Sequence, residues 1–196
     1  GAGYEIDQSL KFNGAGYLSK TPSSSSNRKT STFSTWVKIS PAAATGGQDV
    51  LFEAYEDNAN RWSIFIGDNT TNYIGVFGET GDSTDVDLAT NVAYRDYSAW
   101  YHIMFVLDTT QGTAANRAKL YVNGVQVTSF STATYPDQHY DLVWNSATSH
   151  SIGGTDANYF DGYLGEVNFI DGAAKAPADF GETGTYGEWK PVEYSG

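Results

Sequence analysis

Apolar and polar residues alternate through most of this chain in short runs broken by Gly, Asn, Asp, Ser and Thr. In STFSTWVKIS (31–40), Phe33, Thr35, Val37 and Ile39 share one face, the period of a strand with one buried side. DVLFEAY (49–55), RWSIFIG (61–67) and YIGVFGE (73–79) continue the pattern, and the polar DNTTN between the last two predicts a hairpin. WYHIMFVLD (100–108) is apolar at both parities, which predicts a central strand covered on both faces. AKLYVNGVQVTSF (118–130) predicts a hairpin turning at Asn123-Gly124. SLKFNG (9–14) and GYLSK (16–20) flank a Gly-rich turn, and YLGEVNFID (163–171) is the last clear strand. In that strand, strict alternation places Leu164, Glu166, Asn168 and Ile170 on one face and Tyr163, Val167 and Phe169 on the other.

Helical periodicity is confined to AKAPADFG (174–181), where Pro177 suits one short helical turn near the C-terminus. The pattern therefore predicts an all-β, two-sheet antiparallel sandwich of about five to seven strands per sheet. Its core is expected to hold Trp36, Val37, Ile103, Phe105, Leu120, Val122, Val167 and Phe169, whose runs are the most sustainedly apolar.

Composition sharpens this picture. With 196 residues, 40% hydrophobic and only 17% charged, the chain suits one core, so a single domain over 1–196 is expected. Its abrupt ends are compatible with a segment of a longer polypeptide. The net charge of −12 with 11 Lys+Arg, among which Arg28-Lys29 is the sole basic pair, leaves no cationic stripe for nucleic acid or anionic membrane. The acidity suits calcium or neutral ligands such as glycans. The absence of Cys removes disulfides, thiolate zinc sites and Cys nucleophiles and points to a bacterial or viral source. No apolar run is long enough for a membrane span.

Candidate chemistry is sparse. His102 lies in the doubly apolar strand and reads as a satisfied core histidine, while His139 and His150 fall in polar loops; no G-x-S-x-G elbow is present. Three scattered histidines do not make a zinc site. For calcium, Asp156, Asn158 and Asp161 form a loop cluster, to which Gly153-Gly154 could add carbonyls; the competing reading is an Asx-turn in which these side chains cap their own backbone. Asp82-Ser-Thr-Asp85-Val-Asp87 reads as a second acidic loop. For a sugar, Trp62 near Asn60, Tyr73, and Trp144 beside Asn145 are candidate aromatic plates with amide partners, against the plain alternative of ordinary half-exposed aromatics on a sandwich.

Four stretches in order, SLKFNGAGYLS (9–19), TFSTWVKIS (32–40), SAWYHIMFVLDTT with NRAKLYVNGVQV (98–127) and FDGYLGEVNFID (160–171), resemble the laminin G-like, concanavalin A-like jelly rolls. YLSKTPSSSSNRKTSTFSTWVK (17–38), YRDYSAWYHI (94–103), NGVQVTSFSTATYP (123–136) and FGETGTYGEWKPVEYSG (180–196) resemble most the subgroup in structural proteins of marine bacteriophages. The resemblance implies a jelly roll and a virion component (capsid decoration, fibre or tail-associated), multimeric with other virion proteins and exposed on the particle. It implies contact with host-surface glycan, or else, in the alternative, a secreted bacterial carbohydrate-binding module attached to an enzyme. Glucanases of this fold carry an E-x-D-x-x-E run, whose retaining chemistry needs two carboxylates about 5–5.5 Å apart. Here the run reads Glu166-Val-Asn168-Phe-Ile-Asp171, with Asn in the middle and Asp171 at the wrong parity, so no enzyme is expected and catalytic residues are none. Calcium in related domains sits at loop ends on one sheet edge, which keeps one ion at Asp156, Asn158 and Asp161 open.

Overall fold

The computed structural model describes residues 3–41, 47–67, 71–155 and 158–196. Its strands are β1 (Leu10–Asn13), β2 (Leu18–Lys20), β3 (Thr30–Ile39), β4 (Asp49–Asp57), β5 (Asn60–Ile66), β6 (Ile74–Thr80), β7 (Ser83–Thr90) and β8 (Tyr101–Asp108). Then come β9 (Ala118–Val122), β10 (Val125–Gln126), β11 (Phe130–Thr134), β12 (Ser149–Ile152), β13 (Asp161–Asp171), β14 (Gly181–Thr183) and β15 (Trp189–Pro191). They form a six-stranded sheet ordered β1-β13-β3-β8-β9-β10, a seven-stranded sheet ordered β11-β7-β6-β5-β4-β12-β2, and the β14-β15 hairpin. The two large sheets are antiparallel and pack as a jelly-roll sandwich. The expected turn at AKAPADFG is a single 3₁₀ turn at Pro177–Asp179. Among the described residues no helix is long and apolar enough to cross a membrane.

The alternation puts Phe33, Val37 and Ile39 of β3, Ile103, Phe105 and Leu107 of β8, and Leu120 and Val122 of β9 on the inner face of the six-stranded sheet. Phe52 and Ala54, Trp62 and Ile64, Val76, and Val86 and Leu88 oppose them from the other sheet. Phe33 stacks on Phe52 with ring centroids 5.0 Å apart. Trp144 plugs the space between the sheets, edge-on to Trp62 at 5.5 Å and to Phe105 at 5.6 Å, with its indole N–H donating to Trp62 O at 3.0 Å. Gly78 makes room for Trp62, since a Cβ there would lie 2.1 Å from the indole.

The strand expected to be covered on both faces is β8. Its outward residues His102, Met104 and Val106 are buried under the C-terminal segment, where Phe180 and Tyr194 close a second apolar cluster with Tyr121 and Ile170. Trp36 and Val37, both buried, therefore face opposite sides of β3. The Asn123-Gly124 turn has φ of 48° and 78°, the paired positive values of a type I′ hairpin.

Several expectations change. The supposed acidic loop at Asp82–Asp87 lies largely within β7, where Val86, Leu88 and Thr90 point inward and Asp85 and Asp87 fall at the alternate positions. β1 and β2 do not pair with each other; the chain crosses from one sheet to the other between them. His150 is on β12, not in a loop. The strict alternation assumed for β13 fails at a bulge between Gly165 and Asn168, where Glu166 adopts φ 48° and shifts the parity by one. Leu164 and Phe169 thereby both turn toward the core, although Val167 and Phe169 remain half-buried.

Candidate functional site

The five residues proposed to hold sugar do not converge on one surface site; Trp62 and Trp144 meet, but inside the core. Trp62 and Trp144 are buried, at 0% and 1% exposure, so neither indole offers a face to a ligand. The reason is packing: these two large rings fill the centre of the sandwich and use their N–H groups internally, Trp62 toward Asp85 at 3.4 Å. Asn60 is committed to its turn, donating to Asp57 Oδ1 at 2.9 Å and accepting from Gly81 N at 3.1 Å. Tyr73 is half-buried, edge-on to Phe65, and lines a shallow cleft of about 520 Å³ with Thr71, Asn91, Arg95 and Ser131. Asn145 alone stands at the larger cleft described next.

That cleft, of about 580 Å³, opens where the β2-β12 edge of the seven-stranded sheet meets β13. Leu18, Phe52, Ile152 and Phe169 give it an apolar lining, while Ser19, Ser23, Ser24 and Asn145 supply hydrogen-bonding groups. Lys20 is its one charged lining residue. The His150 ring forms part of the wall, 6.0 Å from Phe52 and 6.4 Å from Phe169. Its Nδ1–H donates to Thr148 O at 2.9 Å and its Nε2 accepts from Asn145 N at 2.9 Å, which fixes the neutral tautomer. Burial pushes its pKa down, in keeping with a neutral ring. Asn145 has φ 66° and donates its side-chain N–H groups to Asn27 O at 3.0 Å and to Asp171. An apolar lining edged by hydroxyl and amide groups, with aromatic walls, can hold a flat neutral molecule that has one C–H face and several hydroxyls. Of this set the sequence pattern indicated Asn145 and Phe169; Ser149–Ile152, a four-residue strand rich in Ser and His, carries too weak a period to be read.

The acidic residues of the last strand serve the scaffold. Glu166 accepts from Tyr4 OH at 2.7 Å, and Asp171 accepts from Ser26 Oγ, Asn27 N and Asn145. Asp161 pairs with Lys11 Nζ at 2.7 Å. Of the calcium candidates, Asp156 lies outside the described residues, and Asn158 donates its backbone N–H to Thr155 O at 3.0 Å, as in a turn. Gly153 O accepts from Phe160 N at 3.0 Å. Beside Asp161 the structure adds a residue the pattern did not suggest. Asp49, 2% exposed, has an Oδ1 with no hydrogen-bond partner, and burial together with the Asp161 carboxylate pushes its pKa up to about 7. Among the described residues no three His, Asp or Glu side chains group as metal ligands.

Solved structures share this architecture at low identity. Domain 4 of AbnA, an extracellular arabinanase from Geobacillus stearothermophilus solved with arabinotriose, is 18% identical over 89% of this chain and 75% of its own, with a TM-score of 0.62. A SAP-like pentraxin from Limulus polyphemus is 13% identical over 82% of this chain and 74% of its own, at 0.55. Domains LG4-5 of mouse laminin α1 are 14% identical over 94% of this chain and 44% of theirs, at 0.60. Comparison with curated protein sequences gives no match. With residues 12–178 matching the laminin G-type profile of that group, the chain belongs to the concanavalin A-like lectin/glucanase superfamily.

Proposed function

We propose that this domain is a non-enzymatic adhesion module that holds a neutral glycan in the β2-β12-β13 cleft and is carried on the surface of a phage particle. The observation that carries the binding part is the cleft itself, an apolar lining with the neutral His150 ring, Phe169, three serines and Asn145 around it. The botulinum neurotoxin D binding domain and the arabinanase domain have the same fold, which accords with a lectin-like role. The phage setting rests on the resemblance of residues 17–38, 94–103, 123–136 and 180–196 to structural proteins of marine phages. In that setting the module is a multimer beside other virion proteins, and symmetry multiplies weak affinity. The absence of catalysis is supported by Glu166 and Asp171, each engaged in holding the scaffold. A glycan array of the wild-type domain and of Ser23→Ala/Ser24→Ala tests the binding, with loss of signal in the double variant expected. Unchanged signal would remove the cleft from the reading. Mass spectrometry of purified particles tests the setting, and detection in lysate but never in virions would reject it.

The second reading, a secreted bacterial carbohydrate-binding module attached to an enzyme, is favoured by the likeness to a domain of an arabinanase over most of both chains. Neighbouring genes separate the two: portal and capsid genes support the first, a polysaccharide-degradation cluster the second.

A further inference from the structure

A smaller cavity of about 270 Å³ lies on the other side of the sandwich, outside the six-stranded sheet, between the N-terminal arm and the start of β8. Trp36, Trp100, Ile6 and Pro191 give it apolar walls, and Asp7, Gln8 and Ser9 form one continuous polar wall. Trp100 is 38% exposed and leans on Tyr163, itself 40% exposed, with ring centroids 6.4 Å apart. Two large rings are thus kept half in water, whereas Met104 and Val106 of β8 are roofed by Phe180 and Tyr194 of the C-terminal segment.

The indole N–H groups distinguish this place from the rest of the molecule. Trp62 donates to Asp85, Trp144 to Trp62 O and Trp189 to His102. Trp36 and Trp100 donate to no acceptor among the described residues, although Trp36 is only 6% exposed. Trp36 Nε1 is not among the buried polar atoms that lack a partner, which among the described residues are Asp49 Oδ1 and Ser151 Oγ, so its N–H still meets solvent and is open to an acceptor that displaces water. The side chains of Asp7, Gln8 and Ser9 are likewise exposed and hydrogen-bonded to no described residue.

We infer that this cavity is a second saccharide site, taking a single neutral pyranose ring against Trp100. The C–H face of a pyranose gains dispersion contact over a flat indole, while its ring-edge hydroxyls can both donate and accept. Asp7 and the Gln8 carbonyl accept; the Gln8 amide and the two indoles donate; Ser9 does either. The sole charge on the wall is the Asp7 carboxylate, which repels sialylated, sulfated or uronic sugars. The volume lies just below the roughly 300–1,000 Å³ of ordinary ligand pockets, which fits one ring and not a chain. The assignment is independent of the β2-β12-β13 cleft and stands or falls separately.

The test follows the indole N–H resonances of ¹⁵N-labelled protein during titration with methyl α-glucoside, methyl β-galactoside, N-acetylglucosamine and glucuronate. Saturable shifts of the Trp100 and Trp36 signals are expected with at least one neutral sugar and not with glucuronate, while Trp62 and Trp144 stay fixed. Asp7→Asn and Gln8→Ala change only exposed arm residues, so they leave the fold intact; each should weaken binding by about tenfold or less, and Trp100→Ala should abolish it. A Ser23→Ala/Ser24→Ala variant should titrate like the wild type. No movement of Trp100 with any neutral sugar, or movement unaltered in both arm variants, would overturn the site. Movement of Trp100 with an inert large cleft would uphold it while removing the first reading.

Discussion

The indole N–H of Trp189 donates to Nδ1 of His102 at 3.1 Å, and this bond ties the C-terminal hairpin to the outer face of the six-stranded sheet. Because Nδ1 accepts, the proton of the neutral ring is on Nε2, which donates to Ser34 Oγ at 2.8 Å. Trp36 stacks on the same ring at 5.1 Å. The histidine expected from the pattern to be a satisfied buried residue is one, but the C-terminal segment, not the opposing sheet, buries it.

That environment has a pH signature. Burial pushes the His102 pKa down to about 4 from its ordinary value of 6.5. Between these values the unfolded chain takes up a proton that the folded chain refuses, so stability falls as pH drops from about 6.5 toward 4 and levels off below. The loss attributable to His102 is about 3 kcal/mol. Urea unfolding at stepped pH, compared between wild type and His102→Gln, measures it; parallel profiles would show that the ring is hydrated in the folded state.

Asp49 acts with the opposite sign. Its pKa, pushed up to about 7, means that the folded state keeps a proton which the unfolded state releases above about 4. Its contribution is fully present below the unfolded value and is lost as pH rises toward 7. The two groups therefore oppose one another across the weakly acidic range. Asp49→Asn should leave the His102 loss uncovered, giving a variant that is more stable than wild type at pH 8 but steeper in its decline below pH 6.5. A variant less stable than wild type at both ends would show that the Asp49 carboxylate is needed in its ionised form.

Trp144 and Trp62 are core residues, so Trp144→Ala and Trp62→Ala should each cost about 3–5 kcal/mol in chemical denaturation. Phe169→Ala should cost less than that range, because the ring is half-buried and lines the open cleft. Equal losses at all three positions would mean that the cleft is closed in solution.

Asn145 holds φ 66°, a conformation that costs an ordinary residue about 1–2 kcal/mol. Asn145→Gly keeps that backbone at little strain and loses the bonds to Asn27 O and Asp171, whereas Asn145→Ala loses the bonds and adds the strain. The Ala variant is expected to be the less stable of the two by about 1 kcal/mol. Thermal melts of both decide it, and equal stabilities would place the loop in another conformation.

Strand identity was legible wherever alternation ran long enough. Residues 31–40 and 100–108 declare their faces through Phe33, Val37, Ile103 and Phe105, and the two sheets follow from their need to bury those faces. What escaped was set by tertiary context. Trp62 and Trp144 stand beside Asn and Arg in sequence, so they read as surface rings, yet they pack into each other across 82 residues of chain. Alternation could not show the Glu166 bulge, since one inserted residue leaves no mark on composition while inverting everything after it. The cleft wall required β2 and β12 to pair, and strands of three and four residues carry almost no periodic signal.

Calcium is tested at Asp161. Lys11 already neutralises that carboxylate at 2.7 Å, so a calcium ion must compete with a flexible, half-exposed lysine before it gains a ligand. With that competition, an ion at Asp161 would fall in the weak regime of extracellular modules, roughly 10⁻⁴–10⁻³ M. Melts in micromolar calcium and in chelator are therefore expected to superimpose, because an ion that binds only the folded state raises Tm only near and above its Kd. A rise confined to millimolar calcium and abolished by Asp161→Ala would assign one weak ion to this loop. Lys11→Ala sharpens the comparison: removing the competitor should strengthen calcium binding if Asp161 is a ligand. If the melts superimpose at every concentration in both wild type and Lys11→Ala, the loop around Asn158 is turn chemistry alone.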